Sequence, residues 1–230
     1  MFRDLLGLIY PTSCLVCEQR IPPRREKLCV RCEAELPFGI YPHGEQPLEQ
    51  VFWGRVEVRY CWAWLRFRKG NLARTLLHRV KYGGSRRIGR YMGMRFGHDL
   101  LRSNFERSLN EIDCIVPIPL HPKKQRKRGF NQAEAIAKGM STALSIPVRS
   151  DILKRKTHKG SLTALGRMDR WDSIQDNYDI QKKADLPKHI MIVDDVVTTG
   201  ATIESCAALL KENGVTTISV ATLAYAEKQF

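Results

Sequence analysis

Apolar positions along this chain follow two periods. Leu72, Leu76, Leu77 and Val80 recur at helical spacing and predict a helix that ends at Lys81-Tyr-Gly-Gly84. Ile88 to Leu101, and the stripe Phe130, Ala133, Ala137, Met140 and Leu144, predict two more. Ile203, Cys206, Ala207 and Leu210 predict a helix over 201–213, with Gly214 as its stop. Asp113-Cys-Ile-Val-Pro-Ile-Pro119 reads as a buried strand ended by proline, and Ile190–Val193 and Ile218–Leu223 as two further buried strands. Arg55–Phe67 alternates well enough for one or two strands, and Ile146-Pro-Val-Arg149 for a short one. Residues 36–50 are rich in Pro, Gly and polar groups and read as a linker. Strands interleaved with helices predict an α/β fold, a mostly parallel sheet flanked by helices on both faces. Ligands of such sheets bind beyond the carboxyl ends of the strands, so Pro119-Leu-His-Pro122 and Asp194-Asp195 can face one cleft.

Chemistry concentrates after the run Ile190–Val193. Asp194 and Asp195 follow it, then Val197, Thr198, Thr199, Gly200, Ala201 and Thr202, where a hydroxyl-rich turn opens the 201–213 helix. A turn of that kind offers free backbone N–H groups and the positive end of a helix, which suits a phosphate. The two carboxylates can accept hydrogen bonds from vicinal sugar hydroxyls or approach a metal. A plain strand-turn-helix junction with a Thr cap would explain one threonine. It would not explain two adjacent acids and three threonines together.

The N-terminal part is read from its cysteines. Cys14-x-x-Cys17 and Cys29-x-x-Cys32 form two knuckles, and four thiolates complete a tetrahedral site that favours zinc and leaves no position open for catalysis. A structural zinc would also supply the folding free energy that some forty residues with little apolar content lack. The expected division is a zinc-binding module with its linker over 1–45 and a larger domain over 46–230. Cys61, Cys114 and Cys206 lie in apolar surroundings and read as packing residues.

Charge adds a further expectation. The 230 residues carry 38 Lys plus Arg against 24 Asp plus Glu, a formal net charge of +14. Residues 66–95 hold ten Lys/Arg and no acid, and Lys123-Lys-Gln-Arg-Lys-Arg128 holds five cations in six positions. Either run alone can be a solvated face. Beside a phosphate site they suit a polyphosphate or a nucleic acid. No apolar run reaches the ~18 residues of a membrane span, and Met-Phe-Arg-Asp-Leu-Leu-Gly-Leu-Ile-Tyr is too short and acid-interrupted for a secretory signal, so the cytoplasm is expected.

The run Asp194–Thr202 resembles the phosphoribosyl-pyrophosphate motif of type I phosphoribosyltransferases. That resemblance implies that Asp194 and Asp195 bind the ribose 2′- and 3′-hydroxyls, and that Val197, Thr198, Thr199, Gly200, Ala201 and Thr202 bind the 5′-phosphate. Adding the four-cysteine module, Leu77-His-Arg-Val-Lys-Tyr-Gly-Gly84 and Arg128-Gly-Phe-Asn-Gln132, nearly the whole chain resembles the ComF family of competence proteins. The resemblance implies an accessory protein of DNA uptake that binds phosphoribosyl pyrophosphate with Mg²⁺, takes single-stranded DNA and works beside the uptake machinery. An active phosphoribosyltransferase of nucleotide salvage or nucleobase modification, and a phosphoribosyl-pyrophosphate sensor without turnover, are the alternatives.

By the same analogy the loop after the 113–118 strand binds pyrophosphate, through the backbone at Leu120 and His121 and the side chains of Lys123, Arg126 and Arg128. Lys81 is a further cationic candidate, weighed against a helix C-terminal cation favoured by the dipole. No catalytic side chain is singled out. Residues 153–178 occupy the place of the hood that closes over type I sites. Here Ser161-Leu162 and Ser173 depart from the family pattern, although Asp169-Arg170 is present.

Overall fold

A computed structural model describes residues 12–22, 27–40, 47–68, 70–82, 85–156, 177–181 and 186–227. In chain order the elements are α1 (Val30–Glu35), β1 (Cys61–Phe67), α2 (Leu72–Tyr82), α3 (Arg86–Arg102), α4 (Glu106–Asn110), β2 (Cys114–Pro117), α5 (Pro122–Arg128), α6 (Gln132–Leu144), β3 (Leu153–Arg155), β4 (Tyr178–Ile180), β5 (His189–Val197), α7 (Ala201–Glu212) and β6 (Thr217–Ala226). A 3-10 turn, Glu49–Val51, precedes β1.

Four strands form one sheet in the order β1-β6-β5-β2, all parallel. Both faces of such a sheet are covered, which is why β5 opens on a continuous apolar run instead of an alternating one. Along β5 the side chains still alternate between two clusters. Met191 and Val193 join one with α2, α3, α6 and the cysteine module, while Ile190 and Ile192 join another with α7, β3 and β4. The architecture is therefore the expected helix–sheet–helix stack.

Helices α3 and α6 touch backbone to backbone. A Cβ placed on Gly93 would lie 2.0 Å from the Ile136 carbonyl oxygen, and one on Gly139 would lie 2.0 Å from that of Arg90. The cysteine module packs onto this layer: Val16, Ile21, Leu28 and Leu36 are buried in the cluster that holds α2 and α3. Ion pairs Glu18–Arg79 and Glu33–Arg95 fasten it to the same two helices.

Several expectations change in detail. The 55–67 stretch gives one strand that begins only at Cys61. Ile146–Arg149 gives a single parallel bridge, Val148 to Ile115, on the free edge of β2. The 36–50 segment read as a linker ends in the 3-10 turn, with Leu48 fully buried. The basic run read as a loop is helical from Pro122 to Arg128. Pro122 fits the first helical turn, the Lys123 N–H donates to His121 Nδ1, and Gly129 ends the helix in the left-handed conformation (φ 79°). Among the described residues no helix is long and apolar enough to cross a membrane.

Candidate ligand site and metal centre

β5 is longer than its apolar run. It pairs with β2 as far as Val193, opposite Pro117, but continues with β6 through Val197, opposite Tyr225. Asp194 and Asp195 therefore lie within the strand, beyond the end of β2, and β2 no longer pairs with that edge of β5 there. Consecutive strand residues face opposite sides. Asp195 turns toward α2, where Lys81 Nζ lies 3.5 Å from its Oδ2. Asp194 turns toward α7, β3 and β4, the side of Tyr178 and Cys206, and the Arg155 charge acts on it. Its Oδ1 accepts the Asp195 N–H at 2.7 Å.

This environment sets the charge of the pair. Burial pushes the Asp194 carboxyl up to about 7, and the Asp195 charge adds to the rise; the Asp195 N–H, Lys81 and Arg155 pull it back in part. Tyr178, hydrogen-bonded through its hydroxyl to Arg155 Nη1 at 3.0 Å, is raised to about 12 by burial.

After Val197 the chain turns at exposed Thr198 and Thr199 and enters α7 at Gly200, whose φ of 76° a residue with a Cβ adopts only under strain. No side chain caps α7. The turn and Asp194 enclose a hollow of about 40 Å³. It is braced from the 3-10 turn: a Cβ on Gly200 would meet Val51 at 2.6 Å and Phe52 at 3.0 Å. Arg55 donates to the Thr199 carbonyl (2.6 Å) and the Val51 carbonyl (3.2 Å), and pairs with Glu204 in the first turn of α7. The turn is thus held in shape before any anion arrives.

The segment after β2 is fixed by residues 128–132. Arg128 Nη1 donates to Gln132 Oε1 (3.0 Å), Phe130 is buried, and Asn131 caps α6 through the Ala133 N–H (3.1 Å) while its Nδ2 donates to the Ile118 carbonyl (2.9 Å). Arg128 also lies over the Tyr82 ring at 5.4 Å, so it is turned toward α2. Leu120 and His121 are half-buried, and Lys123 and Arg126 are exposed on α5. Partial burial and the cations Arg155, Lys123, Lys124 and Arg126 hold the His121 imidazole below its usual range. Arg155 and Arg55 were not singled out in the sequence. They lie far along the chain from the acids, and only the fold brings them near.

Strands β3 and β4 pair antiparallel at the two ends of the 153–178 segment. Ser161, Leu162, Asp169, Arg170 and Ser173 lie outside the described residues.

The four N-terminal cysteines converge. The sulphurs of Cys14, Cys17, Cys29 and Cys32 all lie within 4.8 Å of one another, with Cys17 and Cys29 at 3.7 Å. A tetrahedral zinc with Zn–S bonds of about 2.3 Å needs sulphur separations of about 3.8 Å, so the set fits. Backbone N–H groups of Val16 and Cys29 point at Cys14 Sγ (3.5 and 3.4 Å), and that of Cys32 at Cys29 Sγ (3.4 Å). Burial pushes the Cys14 thiol up, but the N–H groups of Cys17, Cys29 and Val16 outweigh it and leave it at about 7. Cys61, Cys114 and Cys206 are buried, as expected of packing residues.

The sequence matches the phosphoribosyl transferase domain family over residues 127–229. It is 34% identical to competence protein F of Haemophilus influenzae over 50% of this chain and 51% of that protein. It is 32% identical to competence protein ComFC of Streptococcus pneumoniae over 44% of this chain and 42% of that one. The DNA utilization protein YhgH of Salmonella typhimurium aligns end to end, at 28% identity over 95% of this chain and 92% of that one. The chain is thus similar to competence and DNA utilization proteins, and its C-terminal part to the phosphoribosyl transferase domain. It spans about half the length of the Haemophilus competence protein that it matches. Among solved structures, the allosteric regulatory enzyme of purine biosynthesis overlays this chain with a TM-score of 0.42 at 14% identity, over 64% of this chain and 30% of the other. Lys81 and Arg55 precede the stretch matched to the transferase family, although they meet its acids and its turn.

Freshly reduced protein should carry about one zinc per chain by elemental analysis, and Cys32→Ser should lower that content; metal-free wild type would refute the centre. A carboxyl whose folded pKa lies above its unfolded value of about 4 binds more protons in the native state, so Asp194 makes stability fall as pH rises from about 4 to about 7. Asp194→Asn should therefore be about 1 kcal/mol or more the stabler protein at pH 8, with the gap closing toward pH 4 in urea unfolding. A gap independent of pH would contradict the assignment.

Proposed function

We propose that this chain is a cytoplasmic accessory protein of DNA uptake that holds a phosphoribosyl ligand at Asp194–Thr202 and single-stranded DNA on the basic surface beside it. The observation that carries the reading is the meeting of two carboxylates with an uncapped helix start on one strand end, under the cations Lys81 and Arg155. The N–H groups of the 198–202 turn receive the 5′-phosphate, and the carboxylates accept hydrogen bonds from the ribose hydroxyls. Lys81 and Arg155 offset the charge of a pyrophosphate arm.

The carboxylates of Asp194 and Asp195 are hard oxygen donors of the kind Mg²⁺ takes together with substrate phosphates, so the residues fit that ion. When bound, it would neutralise charge on the pyrophosphate.

The relatives' names, competence protein and DNA utilization protein, support the DNA half of the reading. Lys123, Lys124, Arg126 and Lys127 are exposed along α5. Tyr82, 59% exposed, touches both Arg128 and the ring of His78 (4.7 Å). Cations that follow a phosphate chain and an aromatic face that takes a base are what a single strand needs.

A second reading, transfer of the phosphoribosyl group to an acceptor base, is favoured by the acids and the turn being present together. It needs little from a nucleophilic side chain, because charge stabilisation at the departing pyrophosphate carries most of such a reaction.

Labelled single strands should bind at low salt and lose affinity steeply as salt rises, with Lys123→Ala/Arg126→Ala flattening the slope; no binding at low salt would remove the DNA role. Under the second reading, a panel of nucleobases should yield pyrophosphate release that Asp194→Asn/Asp195→Asn abolishes.

A further inference from the structure

The phosphate turn has a second cavity on its outer side. Thr198 lines the small hollow of the turn and also a larger one of about 540 Å³, walled by Trp53, Val51, Tyr225, Arg68 and Glu227. Thr198, the residue that opens the turn, is common to the walls of both hollows. The larger is lined by residues at the ends of β1 and β6 and not by Asp194 or Asp195.

Its chemistry differs from that of the turn. Trp53 is 70% exposed, the most exposed large hydrophobic side chain among the described residues. Its backbone is nonetheless set, because Phe52 is buried against Gly200 and the Arg55 N–H donates to the Phe52 carbonyl at 3.0 Å. An indole with free area on a fixed backbone is a stacking platform. The acids nearby are neutralised: Glu227 is paired with Arg68 and Arg66, Glu204 with Arg55, and Glu57 with Lys211. Polar edges remain in the wall at Gln50, Arg68 and Glu227, which suits the rim of a heterocycle.

A phosphate seated in the turn, with its sugar toward Asp194 and Asp195, turns its outer oxygens toward Thr198. A lone monoester ends there. A phosphodiester continues, and the next group along enters the Trp53 cavity. We propose that this cavity takes the nucleobase attached 5′ to the phosphate in the turn, so that the site accepts a nucleotide chain and not only a free sugar phosphate. The proposal rests on the phosphoribosyl reading of the turn, and the free 2′,3′-diol that Asp194 and Asp195 require places the 3′-terminal ribonucleotide of such a chain there.

The test compares ribose 5-phosphate with the dinucleoside monophosphate ApA, titrated into the full chain, into Trp53→Ala and into Trp53→Phe. Base stacking supports an ApA affinity about tenfold above that of ribose 5-phosphate. Trp53→Ala should remove that advantage and leave ribose 5-phosphate binding unchanged, while Trp53→Phe should keep most of it. Equal loss for both ligands in Trp53→Ala, or no advantage of ApA in the wild type, would overturn the proposal. If ApA binds through Trp53 while ribose 5-phosphate does not bind, the reading of the turn falls and the base cavity stands. If ribose 5-phosphate binds and ApA gains nothing from Trp53, the cavity falls and the turn stands. Failure of both ligands to bind overturns both.

Discussion

Strand β5 keeps its ladder with β6 through Val197 but loses β2 after Val193. Proline enforces the difference. Ile118 still donates its N–H to the Val193 carbonyl (2.9 Å), but Pro117 and Pro119 on either side have no N–H, and Pro122 starts a helix. Had β2 run on, its backbone would cover the open side of Asp194 and Asp195. The free edge of β5 beside the two half-buried carboxylates and the approach of Lys81 follow from that early stop, as does the room for the loop that Asn131 ties down.

The same ending explains why the acids are balanced as they are. Alternation sends Asp194 to the α7 face and Asp195 to the α2 face; Lys81 pairs with Asp195, and its charge together with that of Arg155 also acts on Asp194. Asp194 is held near neutrality and Asp195 has a direct partner. A ligand that brings its own hydroxyl donors or a divalent cation relieves the repulsion between the two. The protein therefore stores, in this pair, an unfavourable charge arrangement that the right ligand resolves.

Much of this was legible in the order of residues. The apolar run before two acids, the threonine-rich turn and the paired Cys-x-x-Cys spacing each encode local chemistry, and local chemistry survives translation into three dimensions. The helices α2, α3, α6 and α7 were visible from their stripes because one face of each is buried. The basic run carries no apolar stripe, so its composition reads as a loop, whereas Pro122, the His121 cap and Gly129 make it a helix. What stayed hidden was long-range. Arg55 reaches Thr199 across 144 residues, and Phe52 and Val51 brace Gly200 from a segment whose composition reads as linker. Arg155 meets Asp194 only because β3 and β4 pair beneath the sheet's edge. Nothing in the spacing of these residues announces such meetings.

The central claim is that the carboxylate pair and the braced turn form one phosphoribosyl site. Calorimetric titration of phosphoribosyl pyrophosphate with Mg²⁺ tests it most directly, in the wild type, in Asp195→Asn and in Arg55→Ala. The account predicts saturable one-to-one binding, weakened about tenfold or more in Asp195→Asn by loss of a charged acceptor, and weakened also in Arg55→Ala, which frees the turn without touching the ligand. No heat of binding in the wild type, or the same affinity in all three proteins, would contradict it.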